Sequence, residues 1–198
     1  MIKPPPTRPA IDTPAQEAFV SLSADINAST AETLMAVVFQ QMTQGVKIVH
    51  LLMSTPGGDV MAGINLYNVL SGLPIHLITH NVGNVDSIGN AIFLAGKERY
   101  CCRHSTFMFH GVGFNMNGAV RLEEKLLRER LDGIESDQRR IGSIIKEHTS
   151  LDQTTVEDMF REQRTKSADE ALSSGIVHGI REINIPSGHP VIQLVFQR

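Results

Sequence analysis

The first 110 residues alternate short apolar runs with helix-forming segments, and a glycine follows each of those segments. Val46–Met53 is the clearest run. It is almost continuously apolar, as a strand buried on both faces of a parallel sheet must be. A glycine pair follows, and then a helix over about Val60–Ser71, with Val60, Ile64 and Tyr67 on one stripe. Gly72 stops that helix and Pro74 prevents its continuation. Ala18–Leu22, Ile75–Thr79 and Thr106–Phe109 read as further strands, the last ending at His110. Ser29-Thr30-Ala31-Glu32 is a capping-box pattern with Ser29 at the cap. The helix it opens should run to about Thr43, with Leu34, Val37, Val38 and Met42 toward the core and Gly45 at its end. Ser87–Ala95 reads as a largely apolar helix stopped by Gly96. Such alternation argues for an α/β fold of stacked βα units around parallel strands.

The remainder is organised differently. Gly118–Thr149 is long, charged and helical, with Leu122, Leu126, Leu127, Leu131, Ile134, Ile141, Ile144 and Ile145 spaced along it. One helix of that length exceeds the usual three turns and should project to pack against something. The alternative is a break near Gly133 giving two ordinary helices. A further helix starts near Thr154–Thr155, another covers Ser167–Ser173, and Pro190–Phe196 reads as a final strand. Residues 1–16 carry five prolines and form an extended arm, which leaves 17–198 as a single domain. A chain of 198 residues, 41% hydrophobic, is long enough to bury a substantial core.

Composition excludes several classes of function. The net charge is −3, Trp is absent, and the tyrosines are Tyr67 and Tyr100 alone, so neither a basic surface nor a stacking platform for nucleic acid is expected. No apolar run approaches the roughly 18 residues of a membrane span. The first residues lack the apolar core of a signal peptide, so a cytoplasmic protein is expected. Cys101 and Cys102 are neighbours, a poor disulfide pair, and read as small buried hydrophobes in a reducing compartment. No cysteine or histidine spacing suggests a metal.

Between Thr55 and His110 lie the parts of an acyl-transfer site: Gly57-Gly58, Ser87 in the Gly83–Gly89 turn, and His110 closing an apolar run. Ser87 has two readings, a helix N-cap or a nucleophile beside backbone N–H donors. His110 is either a satisfied structural residue or the base that such a serine needs. The spacing of 23 positions from Ser87 to His110 covers one helix and one strand. That path can return the chain to the edge where parallel sheets carry their sites. Gly57-Gly58 is either a tight turn or an N–H aimed at an oxyanion. It lacks the lysine of a P-loop and the spacing of a dinucleotide fingerprint, and Ser87 is not in a G-x-S-x-G elbow.

Taken together, these motifs resemble the ClpP family of self-compartmentalising serine peptidases. Thr55-Pro56-Gly57-Gly58 is similar to that family's Ser-Pro-Gly-Gly stretch, Gly83–Gly89 to its nucleophile turn, and Met108-Phe109-His110 to its Met-Ile-His. Asn117-Gly118-Ala119 opens what resembles the handle helix. Ser167-Ala168-Asp169-Glu170-Ala171 with Gly175-Ile176-Val177 resembles the family's C-terminal Ser-Ala-x-Glu-Ala and Gly-Leu-Val. The likeness runs from about Phe19 to Ile180. It implies a ClpP/crotonase-like fold of stacked ββα units, a long projecting handle helix, and homo-oligomeric rings. It implies Ser87 as nucleophile, His110 as general base, and the N–H groups of Gly58 and Ile88 as oxyanion hole. Peptides or unfolded proteins would be the substrates of this serine endopeptidase, and no metal or organic cofactor is needed.

The chain departs from the family pattern in three places. Where the family has the Asp that completes its triad, this sequence has Gln163, with Glu162 beside it. A glutamine can fix the tautomer of the imidazole but cannot stabilise its positive charge. Either a small register shift brings Glu162 in, or Asp86 substitutes, or the site is weak. Asp86 stands where the family has a small apolar residue before its serine. The arm does not resemble the family's axial loop, which bears on whether an ATP-dependent unfoldase is a partner. The alternative function is a catalytically weak or inactive ring subunit acting as scaffold or regulator. A crotonase-type acyl-CoA enzyme shares the fold but needs no Ser–His pair.

Overall fold

The computed structural model describes residues 17–114, 118, 121, 123–187, 189 and 191–194. The proline-rich arm lies outside these residues, as do Asn117 and Ala119 before the long helix and both ends of the Pro190–Phe196 run.

β1 (Glu17–Ser23), α1 (Ala28–Thr43), β2 (Ile48–Thr55), α2 (Val60–Gly72), β3 (His76–Asp86) and α3 (Gly89–Leu94) realise the expected alternation. β4 (Glu98–Cys101), β5 (Thr106–Phe109), α4 (Glu124–His148) and α5 (Gln153–Glu162) follow. The chain ends with β6 (Arg164–Ser167), α6 (Ala168–Ser173), β7 (Gly179–Ile180) and β8 (Val191–Gln193). The sheet order is β6-β5-β3-β2-β1-β8, with β4 bridging β3 and β7. All pairings are parallel except β5 with β6.

β3 is the pivot, and it corrects the expected turn. Gly83–Asp86 continues the strand, so only Ser87 and Ile88 remain as the turn into α3. The first part of β3 pairs with β4, from Ile78↔Glu98 to Asn81↔Cys101. Its end pairs with β5, from Asn84↔Thr106 to Asp86↔Met108. Asn81 sits at this fork, its side-chain amide donating to Thr106 O at 2.8 Å while its backbone carbonyl accepts the Ser105 hydroxyl at 2.8 Å. Ladder bonds from two neighbours thus override a local Gly-Asn composition that favours turns.

Two helix starts also differ. α1 is capped by Asn27, not Ser29: Asn27 Oδ1 accepts from Thr30 N at 3.0 Å, and the Thr30 hydroxyl accepts from Asn27 N at 2.9 Å. The chain leaves β1 extended at Asn27 (φ −149°), the backbone a cap requires, and Ser29 is already inside the first turn. α3 starts at Gly89, and no side chain caps it. α4 is one unbroken helix of 25 residues, and a Cβ at Gly133 would meet nothing within 4 Å. Its C-terminal turns bury Ile141, Ile144 and Ile145, while Leu127 and Leu131 nearer its start are 47% and 54% exposed.

The core lies between the sheet and the helices. Leu34 and Val38 of α1, Leu66 and Leu70 of α2, and Ile92 and Phe93 of α3 pack on Leu51, Met53 and Val85. Phe93 meets Phe107 edge to face at 5.1 Å. Val37 and Met42 reach this core only in part. Cys101 is buried, and burial pushes its thiol up to about 11, whereas Cys102 is half-buried. The opposite face of β1–β4 carries a polar layer that local sequence patterns do not announce. Phe19 stacks on His50 at 4.4 Å, and His50 Nδ1 lies 3.0 Å from His80 Nε2. Burial, then the neighbouring His50, pushes His80 down to about 3, so the His80 ring is neutral at neutral pH.

Arg99 locks the C-terminal elements onto this frame. Its buried guanidinium donates to Gly96 O, His148 O, Gly175 O and Ile176 O at 2.8–3.1 Å. Burial lowers its pKa to about 10, so it stays charged at neutral pH. Arg99→Met leaves these buried carbonyls without their donor and should destabilise by on the order of 3 kcal/mol. Urea denaturation checks this: the midpoint falls with the slope unchanged, and Arg99→Lys recovers part of the loss. An unmoved midpoint would show that water replaces the guanidinium.

Candidate active site

The C-terminal ends of β2, β3 and β5 deliver Gly57-Gly58, Ser87 and His110 to one edge of the sheet. Ser87, Gly58, Ile88 and His110 line the same cavity of about 220 Å³, walled by Val60, Ile141 and Phe160. A larger groove of about 750 Å³ shares Gly58, Val60, Val112 and Gly113 with it and runs on past Asp25, Asn27 and Phe114.

Ser87 has φ 55°, one of two non-glycine residues in the left-handed region among those described; Gln163, φ 56°, is the other. A left-handed turn costs a residue with a Cβ roughly 1–2 kcal/mol and persists only when its surroundings fix it. Here they do. Ser87 N donates to Met108 O at 2.8 Å, and Ser87 O accepts from Asn90 N at 3.1 Å. The helix it precedes takes Ile88 as its cap, so the N-cap reading of Ser87 does not describe the turn.

The glycine pair is required on both counts. Gly57 and Gly58 have φ of 89° and 148°. A Cβ on Gly57 would lie 2.6 Å from Ser87 Cβ, and one on Gly58 would lie 2.1 Å from Ile26 O. Ile26 N donates to Gly57 O at 2.8 Å and Asp59 N to Ile26 O at 2.7 Å, which strings Gly58 between them. Among the described residues, the N–H groups of Gly58 and Ile88 donate to no protein acceptor. They are the two donors expected for an oxyanion.

His110 follows β5 and is half-buried. The Gly111 N–H after it donates to Phe160 O at 2.9 Å, tying this loop to α5. Ser87 and His110 share the cavity without a hydrogen bond between them. The candidates for a third member lie at the end of α5. Arg164 pairs with Phe109 across the β5–β6 ladder, and one further step of that register, beyond the ends of both strands, would set Gln163 opposite His110. Gln163 ends α5 in its left-handed turn, its N–H donating to Met159 O. The Glu162 carboxylate is taken by Arg164, with Oε2 2.7 Å from Nε, and both groups are exposed. The Asp86 carboxylate accepts from Asn84 Nδ2 at 2.6 Å. Among the described residues, no hydrogen bond or ion pair joins any of these three side chains to His110.

Asn90 was not singled out from the sequence, although a lone amide in an apolar helix was its signal. It is 1% exposed and donates to both Ser87 O and Met108 O. Among the described residues no group of three or more His, Cys, Asp or Glu is placed to hold a metal, and no helix is long and apolar enough to cross a membrane.

The sequence matches the model of the Clp protease family over residues 10–184. Among solved structures, the chain is similar to that of a point mutant of ClpP1 from Listeria monocytogenes, at 22% sequence identity and a TM-score of 0.73. The match covers 83% of this chain and 91% of that one, and it shows the fold.

Proposed function

The chain belongs to the Clp protease family, and from that premise we propose that it is a serine endopeptidase that cleaves peptides or unfolded proteins inside a ring of its own copies. The observation that carries this reading is Ser87, held at φ 55° in one cavity with His110 and two N–H groups that have no protein acceptor among the described residues. The 750 Å³ groove leading away from it has the room for an extended chain.

In the proposed reaction Ser87 Oγ attacks the scissile carbonyl carbon while His110 takes the hydroxyl proton. The carbonyl oxygen becomes an oxyanion and receives the N–H groups of Gly58 and Ile88. His110 then gives its proton to the leaving amine as the C–N bond breaks. Water attacks the Ser87 ester, again with His110 as base, and regenerates the hydroxyl. The Gln163 amide oxygen is the proposed acceptor for the far N–H of the ring, a contact that a substrate-bound site would have to complete. The exposed Leu127 and Leu131 on projecting α4 support a surface for a second subunit.

The test is reaction with a fluorophosphonate followed by peptide mapping. A single adduct on Ser87, lost in His110→Ala, supports the enzyme; an adduct at any other residue overturns it. Rings that neither label nor cleave would establish the inactive ring subunit in its place.

A further inference from the structure

We infer that Asn90 is a positioning residue that fixes the nucleophile turn to the strand carrying the base. This deepens the reading of Ser87 as nucleophile and rests on it. The amide Nδ2 donates to Met108 O at 2.8 Å and to Ser87 O at 3.1 Å. Ser87 N donates to the same Met108 O at 2.8 Å. The backbone N–H and C=O of Ser87 are therefore closed into one ring of hydrogen bonds through a carbonyl two residues before His110. The amide orientation is forced, because two carbonyl oxygens accept only from its NH2 end.

What makes this more than core packing is the other end of the amide. Asn90 Oδ1 is fully buried and has no hydrogen-bond partner among the described residues. A buried acceptor without a donor works against the folded state and offsets what the two Nδ2 bonds contribute. Stability alone would place an alanine or a larger apolar residue here, as at Ala91 and Ile92 beside it. The amide is the group that can hold a left-handed serine without a side chain entering the cavity. Neither a cap nor the N–H donors of the oxyanion hole do this, since α3 has no side-chain cap.

The experiment compares wild type, Asn90→Ala and Asn90→Asp by fluorophosphonate labelling rate, thermal midpoint and amide hydrogen exchange over residues 86–91. Asn90→Ala is expected to label on the order of 10²-fold more slowly, the cost of a misplaced nucleophile, with its midpoint near that of wild type. Exchange in the turn should rise about tenfold or more as it opens locally. Asn90→Asp keeps the shape but turns both donors into an acceptor. Its rate relative to wild type should therefore recover as the pH falls and its carboxyl gains a proton to donate. A packing role predicts a ratio that does not change with pH. Labelling of Asn90→Ala at the wild-type rate, or a pH-independent ratio for Asn90→Asp, overturns the proposal. If wild type itself does not label, the nucleophile reading fails separately, and unchanged exchange in Asn90→Ala would then overturn the positioning role.

Discussion

Ser87→Ala should lose peptide cleavage almost entirely, with kcat falling by roughly 10⁴–10⁶-fold, as loss of a nucleophile in a serine hydrolase does. The oxyanion donors and groove survive the change, so substrate binding should persist and a small residual rate above water should remain. Fold and assembly should not change, because the hydroxyl caps no helix. The strain at this residue gives a second, independent readout. Alanine keeps the Cβ and so keeps the cost of φ 55°. Ser87→Gly removes it, and should unfold at a temperature above Ser87→Ala, by an amount equivalent to about 1 kcal/mol. Two inactive variants that differ in this direction would show that the turn is held against its own preference. Steady-state cleavage of a fluorogenic peptide and a thermal melt decide both points; full activity in Ser87→Ala would remove the serine from the mechanism.

The convergence of the candidate residues is legible in the sequence because they lie in one stretch and their placement follows from topology. Parallel strands joined by helices send the ends of β2, β3 and β5 to one edge, so Gly58, Ser87 and His110 converge whatever the details of packing. What composition could not show were effects set by partners distant in sequence. Gly83–Asp86 has the residues of a turn, yet β5 recruits it into the sheet. Ser29 and Asn27 both suit a helix cap, and the extended backbone at Asn27 decided between them. His50 and His80 are 30 residues apart and meet only when β2 and β3 align. Arg99 reads as one more surface charge until four carbonyls from three segments close around it. Asn90 belongs to the same class, since its role depends on Met108, 18 residues away.

Gln163→Asp should raise kcat by up to roughly 10⁴-fold, the size of the loss when the triad aspartate of chymotrypsin becomes an asparagine. The backbone favours the change. Gln163 occupies a left-handed turn at φ 56°, a conformation that aspartate and asparagine adopt more readily than glutamine. Part of any gain could then come from a relaxed turn, and Gln163→Asn separates the two causes. It relieves the backbone equally but adds no charge. A rise in both variants assigns the effect to the turn; a rise in aspartate alone assigns it to stabilisation of the imidazolium that forms as Ser87 gives up its proton. The charge also predicts a direction in pH. A carboxylate opposite His110 favours the protonated ring, so the acidic limb of kcat/KM should move to higher pH in Gln163→Asp and stay in place in Gln163→Asn. Arg164, the next residue in the chain, is a cation that could compete for such a carboxylate, and it already holds Glu162. Its pairing with Phe109 across the ladder fixes its backbone but leaves its guanidinium on the exposed Glu162. A new carboxylate at 163 would therefore face the histidine with its neighbouring cation already engaged. Unchanged kinetics in both variants would place the orienting group elsewhere and leave Gln163 as a helix terminator.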